Sequence, residues 1–229
     1  MRNLTNKIVS RLKKQPYEID PDIPLGYLIR MFLRRTCMAL FGLFSCCRKQ
    51  GIVFIAPSAV IKCPGKLNLS KGTTIEAKSY IDALSKEGIV LGRNVSIGRY
   101  STIACTGSLR LLGKGFRVGD NVGLGTHGIY GCAGGIEIGD DTIIGNYVTC
   151  HAENHNFSLK NIPIRMQGVN HKGIKIGKGC WIGAKATILD GAVIGDHCVI
   201  AAGSVVTEGF YPNNTVYGGV PAKQLKSIE

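Results

Sequence analysis

The sequence predicts a parallel β-helix, a triangular prism built from very short strands. Three observations carry this. From Ile176 the chain reads in sixes, "IGKGCW", "IGAKAT", "ILDGAV", "IGDHCV", "IAAGSV", and positions 176, 182, 188, 194, 200 and 206 are all aliphatic. The fifth place of each block is small (Cys180, Ala186, Ala192, Cys198, Ser204), and Gly follows the aliphatic residue in three of the five. Glycine is abundant (31 of 229 residues) while charged residues are only 19% of the chain, which describes an ordered, turn-rich, aliphatic-cored protein rather than a disordered one. A period of six fits neither a helix nor a simple strand meander. It fits strands of a few residues joined by tight turns, three to a coil of about 18 residues.

The elements follow in chain order. Residues 1–50 hold ten Lys/Arg against three acids, a large share of the net charge of +13. Such a balance suits nucleic acid, a membrane surface or phosphorylated small molecules. Within this segment "LGYLIRMFLRRTCMALFGLFSCC" (25–47) is apolar but broken by Arg30, Arg34 and Arg35. The run after Arg35 is too short to cross a bilayer core of about 30 Å. Arg30 and Arg34 stand one helical turn apart with Arg35 close by, and Leu28, Phe32, Leu40, Phe41 and Phe44 lie mostly elsewhere. This predicts a basic amphipathic helix, either lying in an anionic membrane interface or packing on the rest of the protein or a sister subunit. A secretory signal is not expected, because no apolar core follows the basic start at the right place.

From residue 51 the hexad register recurs in triples: Leu69/Ile75/Ile81, Leu91/Ile97/Ile103, Val118/Leu124/Tyr130 and Ile138/Ile144/Cys150, with a partial coil at Ile55 and Ile61. The prism is expected over 51–208 with about six to seven coils, a large loop at 156–175, and a tail or cap over 209–229. In this register every insertion follows the third block of a coil, so all loops leave one corner, and the largest lies between Cys150 and Ile176. The aliphatic residues point inwards, and Cys180 and Cys198 stack one rung apart as core wall. The nine cysteines form no CxxC pair, and Cys46 and Cys47 are adjacent, so reduced buried thiols of a cytosolic chain are expected.

Several local patterns carry no chemistry. "GLGTHG" from Gly123 matches a dinucleotide fingerprint in letters only, since it lies inside the repeat with no following helix. "GKGF" near Gly113 lacks the residues and spacing of a phosphate loop. A zinc site of the carbonic anhydrase type needs three histidines; His151 and His155 are close in sequence and His127 is the only third candidate, so no metal is expected. His127, His171 and His197 read as structural.

The repeat over about 52–206 resembles the hexapeptide-repeat acyltransferases. The segments "CWIGA", "AAGSVVT" and "GGVPAK" resemble the branch of maltose and galactoside acetyltransferases and capsule or O-antigen O-acetyltransferases. The amino-terminal helix is more similar to the polysaccharide enzymes. The resemblance implies an all-β, left-handed parallel β-helix with an N-terminal helical segment; the hand comes from the family, since the usual crossover rule favours the opposite one. It also implies a homotrimer, with acetyl-CoA as co-substrate in a groove between neighbouring prisms.

In that family a histidine upstream of the Trp is the general base. His155, 26 residues before Trp181, matches through "NHNF"; His151, 30 residues before, is the alternative or helper. An imidazole suits the chemistry, because it can take the proton of an attacking hydroxyl and return it to the departing thiolate. Glu153 or a main-chain carbonyl would hold its tautomer, and Asn146 would orient the acceptor. By match, Ala184, Ala202 and Thr207 line the pantetheine arm, Lys223 (and less surely Lys226) meets the nucleotide phosphates, and Trp181 shapes the wall or simply packs at a corner. Where the family often has a basic residue after the Thr, this chain has Glu208. The expected function is O-acetylation of a sugar hydroxyl on a polysaccharide or lipid-linked glycan, in the cytoplasm or peripherally on the inner face of the plasma membrane, without a nucleic-acid partner. N-acetylation of an amino sugar or xenobiotic is the other enzymatic reading, and a non-catalytic scaffold the third.

Overall fold

The computed structural model describes residues 18–229, so the basic stretch from Arg2 to Lys14 lies outside the described residues. The chain divides into two units, residues 1–37 and 38–229, and the division falls inside helix α1, Leu25–Phe44.

Helix α1 starts directly after Pro24, whose carbonyl accepts from the N–H groups of Tyr27 and Leu28. Its residues are mostly good helix formers, with no proline inside. At its other end, Lys49 Nζ donates to the carbonyls of Leu43 (2.7 Å) and Ser45 (2.8 Å), placing a cation where the helix dipole is negative. Gly42 permits the last turn to sit against the prism backbone, because a Cβ there would lie 2.3 Å from the Val53 carbonyl oxygen. Leu28 is buried, unlike its expected companions: Phe32, Leu40, Phe41 and Phe44 are exposed, as are Tyr27, Ile29, Met31, Leu33 and Leu43. No helix of the described residues is long and apolar enough to cross a membrane.

From Arg48 the chain winds as a left-handed prism with three parallel faces. The first face has eight strands, from Arg48–Lys49 to Gly209–Tyr211; the second has nine, from Phe54–Ile55 to Lys223–Ser227; the third has seven, from Val60–Lys62 to Val205–Val206. Seven full turns result. The hexad register is the true one. On the second face Ile75, Ile97, Leu124, Ile144, Ile182 and Ile200 stack in register, and on the third Ile81, Ile103, Tyr130, Cys150, Ile188 and Val206 do. All are buried. Burying one such aliphatic side chain contributes about 1.5–3 kcal/mol, and the stack repeats it at every rung. Tyr130, the one aromatic in its column, stacks on Phe116 at 5.5 Å between ring centroids.

The stacking also continues through the segment expected to be a tail. Gly209–Tyr211 and Thr215–Gly218 add strands to the first and second faces, and Lys223–Ser227 then folds back antiparallel along the last one. That reversal closes the exposed edge of the second face.

Corners explain three of the residues set aside above. His127 sits at a left-handed corner position (φ 58°) with its ring stacked between Tyr100 and Tyr147, 5.0 and 4.6 Å away. His197 holds the same conformation at another corner, in the column of Asn94, Asn121, Asp141 and Asn214. In "GLGTHG", a Cβ on Gly125 would meet the Gly145 carbonyl oxygen at 2.4 Å, so close stacking of coils requires this glycine. Cys180 and Cys198 are buried core wall, and burial pushes the Cys180 thiol up to about 11 and that of Cys150 up to about 12. Cys37, Cys46 and Cys63 depart from the expectation of buried thiols and are exposed.

Candidate active site

Each insertion leaves from the corner between the third and first faces, as the register implies. At the largest one the rung ends earlier than expected, at His151 rather than His155. The third-face strand is Thr149–His151, and Ala152 is still buried in the coil, its N–H donating to Gly131 (3.0 Å) and its carbonyl accepting from Gly134 (2.8 Å). The chain then turns outward and re-enters the prism at Ile174. Asn154–His155 pairs antiparallel with Val169–Asn170, so His155 lies on the stem of a projecting hairpin and not on the prism wall.

The loop is organised from within. Gln167 spans it: its Oε1 accepts from Leu159 N–H (3.0 Å), and its Nε2 donates to the carbonyls of Leu159 (2.9 Å) and Ile162 (2.7 Å). Asn156 donates to the Gln167 carbonyl and accepts from Asn170 Nδ2, which locks the two stems. The polar, proline-containing composition that breaks the hexad pattern is therefore the hydrogen-bonding apparatus of a built loop.

His155 is exposed, and no side-chain hydrogen bond joins its imidazole to another described residue. His151 is also exposed; it closes its strand on the outer surface, in register with Gly131 on one side and Leu189 on the other. Glu153 is half-buried near Gly107 and makes no hydrogen bond to either histidine. His171 lies at the loop's return, its Cβ against Gly134. No group of three or more His, Cys, Asp or Glu able to hold a metal occurs among the described residues.

A second set of residues lines a different edge, the corner between the second and third faces. Asn146, Ala184 and Ala202 follow one another up this corner, coil by coil, linked by Lys185 N–H to the Asn146 carbonyl and Gly203 N–H to the Ala184 carbonyl, each 2.9 Å. Ala184 and Ala202 are exposed and small, which leaves the backbone between them open. Asn146 Oδ1 accepts from Thr126 N–H (2.9 Å), tying that oxygen to the coil below. Above, Ala222 N–H donates to the Val205 carbonyl, so "GGVPAK" passes over the same corner and leads to exposed Lys223. Trp181 stands on the open second face, 57% exposed, between Ile143 and Val199; it is not a packed corner residue. Thr207 belongs elsewhere. It lies at the loop-bearing corner of the last full turn, where Tyr211 Oη accepts from its N–H and donates to its carbonyl.

One residue was missed in the sequence. Asp190, at the turn after Thr187–Leu189, is 2% exposed and binds both ends of the large loop. Its place was readable: Leu189 stacks on His151, so Asp190 follows directly above Ala152, where the loop departs.

The family pattern described as "Bacterial transferase hexapeptide (six repeats)" matches residues 173–208. Over 173 residues the chain is 33% identical to WbbJ of Escherichia coli K12, covering 72% of this chain and 74% of that protein, which bears the provisional name of a lipopolysaccharide biosynthesis O-acetyl transferase. The chain belongs to the hexapeptide-repeat acyltransferases. It is also 36% identical over 94 residues to the galactoside O-acetyltransferase of Escherichia coli K12, a match covering 41% of this chain and 44% of that enzyme. Among solved structures it shares its fold with AntD, an N-acyltransferase from Bacillus cereus crystallised with dTDP and 3-hydroxybutyryl-CoA, at a TM-score of 0.54 and 19% identity over 83% of this chain and 87% of that one.

Proposed function

We propose that this chain transfers an acetyl group from acetyl-CoA directly to a sugar hydroxyl of a polysaccharide or lipid-linked glycan, with His155 as general base. The observation that carries this reading is His155 itself, an exposed imidazole with no partner among the described residues, fixed on the stem of an organised loop. Such a group can accept the hydroxyl proton as the oxygen attacks the thioester carbonyl, and return it to the sulfur as the C–S bond breaks. No covalent enzyme intermediate is needed. His151 is the helper in this reading. Glu153 is the less favoured orienter of the base, since it hydrogen-bonds neither histidine.

The acyl donor fits the other corner. Exposed Ala184 and Ala202 leave bare backbone for a pantetheine arm, Trp181 offers an apolar wall, and Lys223 and Lys226 present cations for phosphates. These residues lie across the full width of the third face from the loop, a strand of three residues or about 10 Å plus its turns. A site that uses both edges is most simply assembled from two chains, His155 from one and the alanine corner from the next. This supports a homotrimer. Thr207, on the loop's own corner, then serves the histidine side.

The O-acetyl reading rests on the relatives of higher identity, 33% and 36% against 19% for AntD; AntD keeps N-acylation as the competing one. Thiol release from acetyl-CoA separates them. With glycoside acceptors that lack amines, release well above the rate in water is expected. Activity confined to amino sugars would sink the hydroxyl assignment.

For location we place the protein in the cytoplasm, on the inner membrane face, held by α1. Arg30, Arg34 and Arg35 beside exposed Phe32, Leu33 and Phe41 suit an anionic interface. The full chain should co-sediment with phosphatidylglycerol vesicles and lose this when residues 1–44 are removed. Unchanged sedimentation of the truncated chain would rule α1 out as the anchor.

A further inference from the structure

We infer that Asp190 is the positioning residue that holds His155 in register with the prism; this rests on the reading of His155 as the base. The Asp190 carboxylate is almost fully buried and receives donors from both stems of the loop. From the outgoing stem, Asn154 Nδ2 donates to Oδ2 at 3.1 Å. From the returning stem, Lys172 N–H donates to both oxygens at 2.9 Å, and Gly173 N–H donates to Oδ1 at 2.8 Å. Asn154 is the residue directly before His155 and pairs with Asn170 across the stem. The base is thus one residue away from a fixed anchor.

The chemistry of the anchor is specific. Three donors converge on one buried group, two of them main-chain N–H groups that no other acceptor satisfies. A carboxylate is acceptor-only and can meet them all; an amide would turn an NH2 towards a donor. Asp190 itself sits on the coil above the loop, in the turn that follows Leu189, and Gly191 N–H donates to the Gly173 carbonyl beside it (2.8 Å). Glu208, one coil higher, reinforces the returning stem by pairing with Lys172 Nζ. This accounts for an acid where the family often has a base. The loop is therefore fastened to the same coils that carry Trp181, Ala184 and Ala202, so Asp190 fixes the base relative to the prism as a whole.

The test is Asp190→Asn in the full chain, with acetyl-CoA as probe and thiol release to water or to the best acceptor as readout. A displacement of the base by about 1 Å lowers kcat by about 10–100-fold. The KM for acetyl-CoA should stay within about threefold, because the alanine corner is untouched. Hydrogen exchange should quicken at 154–156 and 168–173 and nowhere else. In the double variant with His155→Ala the loss should not exceed that of His155→Ala alone, since both act through one group. Asn154→Ala, which removes a single exposed donor, should give a smaller loss of the same kind and covers the case in which Asp190 variants fail to fold. Retention of kcat within about twofold in Asp190→Asn, or additive losses in the double variant, overturns the inference. Full activity in His155→Ala beside quickened exchange in Asp190→Asn would instead reject the base and leave the clamp standing.

Discussion

Replacing His155 by alanine should reduce acetyl transfer by about 10²–10⁴-fold while leaving CoA affinity nearly unchanged. The size follows from what general-base catalysis contributes when the acceptor is a hydroxyl that stays protonated at neutral pH. The selectivity follows from position. His155 lies on the loop stem, away from Ala184, Ala202 and Lys223, and its main-chain pairing with Val169 survives the substitution. The loop should keep its shape because its bonds come from Asn154, Asn156, Gln167 and Asp190 rather than from the imidazole. Isothermal titration with CoA and steady-state thiol release measure the two halves separately. If His151→Ala shows the large loss and His155→Ala does not, the base is the residue on the prism wall, and the loop serves the acceptor instead.

The second large effect concerns two chains. Ala202→Trp should abolish activity by filling the exposed corner with an indole, and it should fold, since that side chain points to open solvent. Alone, this variant should be inactive and His155→Ala should retain only its small residual rate. Mixed in equal amounts and reassembled, they should recover about a quarter of wild-type activity, because in a cyclic trimer each site joins one chain's histidine to its neighbour's corner. No recovery would mean that both groups act within one prism. That outcome would require the substrate to wrap across the third face.

Much of this was legible in the sequence, for a physical reason. A coil has no freedom to shift its register, since each aliphatic residue of the hexad must meet the one a turn earlier; Ile200 on Ile182 follows from counting alone, and Ile182 on Ile144 once the insertion before Ile176 is set aside. The single loop-bearing corner followed from the same count. The loop itself was not countable. Its shape comes from amide side chains meeting main-chain groups across long separations, Gln167 to Leu159 and Asn154 to Asp190, and no periodicity encodes those. His155 was found by its resemblance to a family motif, whereas its place on a hairpin stem needed the structure. The strands within the expected tail or cap were not legible because Gly209–Tyr211 and Thr215–Gly218 lose the aliphatic letters and come one residue early, Tyr211 and Tyr217 standing 17 residues after Ile194 and Ile200; the two tyrosines fill the last layer edge to face, 5.0 Å apart. Helix α1 was visible as a helix, but its apolar side chains do not share one fate: Leu28 is buried whereas Phe32, Leu40, Phe41 and Phe44 are exposed.

In the proposed shared site, one chain's His155 faces a thioester held along the next chain's alanine corner. A crystal structure with CoA tests it most directly. The pantetheine arm is expected along Ala184 and Ala202 of one chain, with the sulfur within about 3–4 Å of the His155 imidazole of its neighbour. A CoA sulfur that faces His151, or that lies within a single prism away from the loop, would contradict it.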